Sequence, residues 1–200
     1  MSFSPDGNSL FFSSTRPTPV EGIPNTWHIW RSEKKDNTWS KPEFISIPNM
    51  KDKLVSHPTV TKSGKIYFHA SNLDYSDMNI YSSELENGKY QNATIIEFPQ
   101  DSNIQKCTPF ISPNENYIIF AEIHEDQLQL KISIKDSNGK WNKPSAFNKS
   151  INTNGQGNPF VTADERFLFF TKINGKNSKN EGKWNVNWVR IDQNLNTDIK

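Results

Sequence analysis

Apolar residues arrive in short bursts separated by polar turns, and nowhere as a long helical stripe. The clearest bursts are Leu10-Phe11-Phe12, Ile66-Tyr67-Phe68, Ile118-Ile119-Phe120 and Leu168-Phe169-Phe170. They are aromatic and β-branched, which favours strands over helices. A turn-like tetrad stands ahead of each burst: Ser4-Pro5-Asp6-Gly7, Thr61-Lys62-Ser63-Gly64, Ser112-Pro113-Asn114-Glu115 and Thr162-Ala163-Asp164-Glu165. Ser or Thr at the first place, Pro at the second and Gly at the fourth suit a type I β-turn, with φ preset by the proline and the turn capped by the hydroxyl. The first tetrad matches best. The later ones keep Ser or Thr, while the fourth place drifts to Glu115 and Glu165.

Further features recur in order. An apolar residue precedes each tetrad, at Phe3, Val60, Ile111 and Val161, and a proline stands shortly before three of them, at Pro58, Pro109 and Pro159. Those prolines are expected at the first residue of a strand, where a missing N–H does least harm. A third strand is expected over Trp27–Glu33, Asn79–Leu85, Leu128–Ile134 and Val186–Ile191. Leu128, Leu130, Ile132 and Ile134 fall on one face of it. After a polar turn, Trp39, Tyr90 and Trp141 open a fourth strand, and Lys41-Pro42 and Lys143-Pro144 require that strand to be an edge.

With Phe12, Phe68, Phe120 and Phe170 taken as equivalent, the steps are 56, 52 and 50 residues. A meandering sheet repeated at that period predicts an all-β chain: a β-propeller of four-stranded antiparallel blades. The expected blades are approximately 1–48, 49–99, 100–148 and 149–192 within a single domain, with a polar tail over 193–200. The last blade lacks an outer strand, so an incomplete or open ring is expected. Such an arc exposes aromatics and unpaired strand edges on its first and last blades.

Composition narrows the function. Lys and Arg number 23 against 22 Asp and Glu, a formal charge of +1, which excludes a nucleic-acid binder driven by bulk charge. Hydrophobic residues are only 33%, but aromatics are 12%, so a core is available. No apolar run approaches the roughly 20 residues of a membrane helix. The lone Cys107 excludes an internal disulfide framework and a cysteine-based zinc cage. Met1-Ser2-Phe3-Ser4-Pro5 has no basic stretch followed by an apolar one, so no signal peptide is expected here.

Phe3-Ser4-Pro5-Asp6-Gly7 followed by Leu10-Phe11-Phe12-Ser13-Ser14 resembles the TolB-type propeller repeat, a WD-like repeat. Gly139-Lys140-Trp141-Asn142-Lys143-Pro144, Ile151-Asn152-Thr153, Asn158-Pro159-Phe160 and Leu168-Phe169-Phe170 resemble the repeat of Bacteroidetes-type envelope and surface proteins, and Val186-Asn187-Trp188-Val189 looks like a last blade. The resemblance covers nearly the whole chain and implies a non-catalytic binding or scaffold propeller, with a protein partner, in the periplasm or cell envelope. Family propellers hold five or six blades. The reading is therefore the C-terminal part of a longer propeller, or a chain completed by a partner.

Strand direction alternates within a blade, so the long loops gather on one face. Binding residues concentrate on such loops. The residues just before the inner strands, His57, Thr108 and Asn158, are expected at the mouth of the channel with Cys107 beside them, joined on the same face by Arg16, Asp74 and Asp77. Lys172, Lys176, Lys179 and Lys183 read as a basic, solvated loop within 171–185. Trp27, Trp30, Trp184 and Trp188 read as packing between blades, with sugar stacking as the alternative. His28, His69 and His124 lack metal-like spacing, so no metal and no cofactor are expected. No Gly-x-Ser-x-Gly elbow is present. The competing function is a carbohydrate-binding or carbohydrate-active propeller. As an enzyme it requires carboxylates converging at the channel mouth, for which the connectors offer Asp52 and Asp101. A prolyl-oligopeptidase-like reading requires an α/β-hydrolase domain that this chain does not contain.

Overall fold

The computed structural model describes residues 1–99, 104–124, 127–152, 156–176 and 182–191. It is all-β, in four blades of the propeller class. Blade 1 holds β1 (Ser2–Phe3), β2 (Ser9–Ser14), β3 (His28–Lys35), β4 (Thr38–Trp39) and β5 (Glu43–Phe44). Blade 2 holds β6 (Leu54–Val60), β7 (Ile66–Ser71), β8 (Asn79–Ser83), the hairpin β9 (Leu85–Glu86) with β10 (Lys89–Tyr90), and β11 (Thr94–Ile95). Blade 3 holds β12 (Lys106–Ile111), β13 (Tyr117–His124), β14 (Gln127–Ile134) and β15 (Ser145–Ala146). Blade 4 shows β16 (Gln156–Val161), β17 (Phe167–Lys176) and β18 (Gly182–Arg190). All the strand pairs are antiparallel, and among the described residues the strand ladders run only within each blade.

The outer strand comes in two pieces. Trp39 pairs with Lys34, Tyr90 with Leu85, and Trp141 bridges Lys135. The chain then leaves the sheet and returns as β5, β11 or β15. In blades 1 and 3 the break falls at Pro42 and Pro144, which have no amide to give to a ladder.

The tetrads are turns capped as expected. Gly7 N donates to Ser4 O at 2.8 Å, and Ser9 N donates to Ser4 Oγ at 2.9 Å. Ser112 Oγ and Thr162 Oγ1 take the amides of Tyr117 and Phe167 in the same way. The fourth place is left-handed in every copy: φ is 73° at Gly7, 86° at Gly64, 62° at Glu115 and 54° at Glu165. A non-glycine residue is strained there, and each Glu has a partner that explains its presence. Glu115 accepts from the Tyr67 hydroxyl and pairs with Lys65 at 3.1 Å, and Glu165 accepts from Tyr117 at 3.3 Å. Burial and the neighbouring carboxylate push both tyrosines well above their ordinary range.

The residues group into two compact units. The first is Met1–Ile96 with Pro113–Glu115, and the second is Glu97–Ser112 with Asn116–Lys200. In the first, Phe11 and Ile29 of blade 1 meet Val55, Val60, Ile66 and Phe68 of blade 2. A buried side chain of that size stabilises by about 1.5–3 kcal/mol. In the second, Leu130 and Ile132 of β14 lie against blade 4, whose Val161, Leu168 and Phe170 are buried. The position equivalent to Ile29 and Leu130 is Val186 in blade 4, which is 71% exposed, with Trp184 and Trp188 exposed on the same strand face. Phe3 is likewise 55% exposed where its equivalents Val60 and Val161 are buried.

Three expectations are corrected. Pro58, Pro109 and Pro159 do not begin their strands. Each sits inside one, at a β-bulge that shifts the register between Ser56 and Thr59, Cys107 and Phe110, and Gly157 and Phe160. A bulge is the other place where a strand tolerates a residue without an amide. Most of 171–185 is also not a loop. β17 and β18 form a long hairpin carrying Lys172, Lys176 and Lys183, while Lys179 lies outside the described residues. Trp184 and Trp188 are exposed on that hairpin rather than packed between blades.

Candidate functional site

The bulges position the site residues. His57, Thr108 and Asn158 each stand directly before the bulge proline with φ of 54°, 47° and 51°. Non-glycine residues avoid this region, Thr most of all because its Cβ is branched. Residues held there cluster at functional sites. In the first unit, His57 N donates to Ser13 Oγ at 2.9 Å. In the second, Asn158 N donates to Thr108 Oγ1 at 3.3 Å, and Asn158 Nδ2 donates to Thr171 Oγ1 at 2.9 Å. Cys107 is buried, which pushes its thiol up to about 11 and leaves it inert as a nucleophile at neutral pH.

The first unit carries a cavity of about 690 Å³. It lies between β2 of blade 1 and β6 and β7 of blade 2. Leu10, Phe12, Trp27, Leu54 and Met78 supply an apolar wall, and Ser13, Ser56, His57 and His69 a polar one. Among the described residues lining it there is no Asp, Glu, Lys or Arg.

The polar wall is ordered. The His57 and His69 rings stack with centroids 4.7 Å apart. Ser56 Oγ donates to Ser13 Oγ at 3.1 Å and lies 3.0 Å from His57 Nδ1. Burial first, and the neighbouring His57 second, pull the His69 imidazole down to about 3, so it is neutral at physiological pH.

One lip of the cavity is Tyr75, 58% exposed. Its loop is stiffened by Asn72 N to Ser76 O at 2.9 Å, Asn72 Nδ2 to Asp77 Oδ2 at 2.9 Å, and Ser76 Oγ to Asp74 Oδ1 at 2.6 Å. Asp74 and Asp77 therefore flank the cavity residue Tyr75, and both carboxylates hold the loop. The Ser76 hydrogen bonds lower the Asp74 carboxyl below its ordinary value. Arg16 lies over the rings of Phe12 and Trp30, at 5.2 and 5.1 Å. Of the expected site residues, His57, Arg16, Asp74 and Asp77 thus belong to or border this region of the first unit. Thr108 and Asn158 are joined to each other in the second. Asp52 is not among the lining residues, and Asp101 lies outside the described residues.

The cavity also holds Ser13, Ser56 and His69, none of them expected at the channel mouth; His69 drew notice only as a histidine without metal-like spacing. The repeat itself held the signal. One place after the reference phenylalanines stand Ser13, His69, Ala121 and Thr171, and Ser56, Cys107 and Gly157 stand directly opposite the last three.

No family model matches the chain, and no curated protein matches it. Solved structures do. A TolB-type protein from Agrobacterium tumefaciens superposes with a TM-score of 0.62 at 17% identity, over 95% of this chain and 60% of that one. TolB from Acinetobacter baumannii gives 0.61 at 14% identity, over 97% and 41%. A gluconolactonase from Xanthomonas campestris gives 0.52 at 11% identity, over 85% and 52%. At these identities the likeness is one of fold. The chain spans 60% and 41% of the length of the two TolB structures.

Proposed function

We propose that the chain is a non-catalytic binding propeller that engages a protein partner in a bacterial envelope through the long-loop face of its first unit. The observation that carries this reading is the cavity of about 690 Å³ beside His57, within the size range of ligand sites, apolar on one wall and fixed by a few hydrogen-bonding groups on the other. The TolB fold supports a binding role, and the envelope location follows from the same likeness. Acid–base chemistry on a sugar needs a pair of carboxylates; the described lining has none.

Replacing Tyr75 with a photo-crosslinking phenylalanine in the native host tests the proposal, with the same replacement at Asp6 in the first tetrad turn as control. A discrete protein adduct at position 75 and none at position 6 is expected. Equal adducts, or none at either position, contradict it. Trp27 and Tyr75, both exposed and both lining the cavity, are the observation that favours a sugar ligand instead. Retention on a polysaccharide, lost in Trp27→Ala and with no protein adduct, supports that second reading.

A further inference from the structure

Val55, Lys106 and Gln156 hold one place in three blades, directly before Ser56, Cys107 and Gly157 and opposite Ala70, Glu122 and Lys172. All three are buried. Val55 is apolar and packs with Phe11 and Ile29 of blade 1. Lys106 has a partner, since its Nζ donates to Ile104 O at 2.8 Å. Gln156 is 0% exposed, and neither its Nε2 nor its Oε1 meets a partner among the described residues. Burying an amide without a hydrogen bond is unfavourable, and interior polar groups are nearly always paired.

The place of Gln156 gives the orphan amide a meaning. β16 packs on β12, β13 and β14, so Gln156 lies in the joint between blades 3 and 4, inside the second unit. Leu130, Ile132, Val161 and Leu168 make the rest of that joint apolar and buried. The amide is unsatisfied only while the joint is closed, because water takes both of its atoms once blade 4 moves off blade 3. The hydrogen bond across this joint, Asn158 N to Thr108 Oγ1 at 3.3 Å, is also longer than its counterpart in the first unit, His57 N to Ser13 Oγ at 2.9 Å. Asn152, ahead of β16, is tied to blade 3: its Oδ1 accepts from Leu130 N at 2.8 Å, and its Nδ2 donates to Leu130 O at 3.0 Å and to Phe147 O at 3.1 Å.

We propose that the joint between blades 3 and 4 is a conformational device, in which Gln156 keeps the closed form near in free energy to an open form with β16 lifted from Leu130 and Ile132. A group unsatisfied in one state and hydrated in the other shifts the balance by that difference. The joint between blades 1 and 2, with Val55 at the same place, stays shut. The open form presents the apolar side chains of β14 beside a free amide, a surface that the closed fold hides.

The test is methyl relaxation-dispersion NMR on the whole chain, which reads exchange on the microsecond-to-millisecond scale. Exchange at one common rate is expected at Leu130, Ile132, Val161 and Leu168, and none at Ile29, Val55 and Val60. Gln156→Leu keeps the bulk without the amide and is expected to lower the open population about fivefold or more, at all four residues together. Val55→Gln is the reciprocal variant and is expected to start exchange at Ile29 and Val60; if it does not fold, Gln156→Leu decides alone. Exchange at neither joint, or exchange of equal size at both, overturns the proposal. So does a Gln156→Leu chain that resists urea better with its exchange unchanged, since the amide is then a static cost and not a switch.

Discussion

His57 and Asn158 occupy the same place in the repeat, with φ of 54° and 51° and a following proline, yet their surroundings differ. In the second unit Thr108, from the bulge of the preceding blade, receives the Asn158 amide at 3.3 Å, and Asn158 is exposed. In the first unit Ser13 of β2 receives the His57 amide at 2.9 Å, and His57 lines a cavity. One backbone device thus joins two blades in both units and walls a cavity in the first. The strain is common to both.

The difference can be pressed hardest with pH. His69 is held neutral in the fold and takes a proton freely once unfolded, so the first unit loses stability as pH falls from about 6.5 toward about 3. Each pH unit in that window costs about 1.4 kcal/mol. Ala121 and Thr171 stand at the equivalent place in the second unit and do not titrate. Urea denaturation of His69→Asn across this window is expected to show that slope removed. The exposed carboxylates Asp6, Asp74, Asp136 and Asp164, each lowered by local hydrogen bonds, add an acid loss that the variant leaves unchanged.

The two joints themselves come next. Ser13→Ala removes the acceptor of the shorter His57 bond and of the Ser56 hydroxyl, and is expected to cost about 1–2 kcal/mol by urea denaturation. Thr108→Val removes the acceptor of the longer Asn158 bond at an exposed residue, where water takes its place, and is expected to cost less than about 1 kcal/mol. Equal costs break the comparison. A smaller contrast lies in the turns. Glu115→Gly relieves a left-handed φ but loses Tyr67 and Lys65, a net destabilisation of about 1 kcal/mol. Glu165→Gly loses only the longer Tyr117 bond and is expected within about 0.5 kcal/mol of the parent, measured the same way. Smallest for stability is Trp184→Ser with Trp188→Ser on the exposed face of β18, within about 0.5 kcal/mol. That pair is nevertheless expected to reduce self-association in light scattering, because it removes the largest apolar groups from an uncovered face.

The blades were legible because their signals are local. A turn that needs a hydroxyl and a left-handed fourth place, followed by an aromatic strand, can be seen at Ser4–Phe12 without any tertiary contact. The weakening of the tetrad toward Glu115 and Glu165 looked like decay, but it reflects tyrosine partners 48 residues away, which local patterning does not display. Proline before a strand was visible, but whether Pro58 starts the strand or bends it depends on how far Leu54–Ser56 pair with β7. His57, Thr108 and Asn158 could be placed by the repeat, since each precedes its proline. The cavity could not, because it is walled by side chains of β2, β6 and β7 that only the packing of two blades brings together. Ser13 and Ser56 have fixed places in the repeat, but no local feature separates them from other strand serines.

The most direct measurement is xenon binding followed by methyl NMR, since xenon enters apolar cavities. A cavity in the first unit predicts shifts at the methyl groups of Leu10, Leu54 and Met78, and none at Leu130 and Leu168 in the second. Shifts of equal size in both units, or none at Leu54, contradict the account of the site.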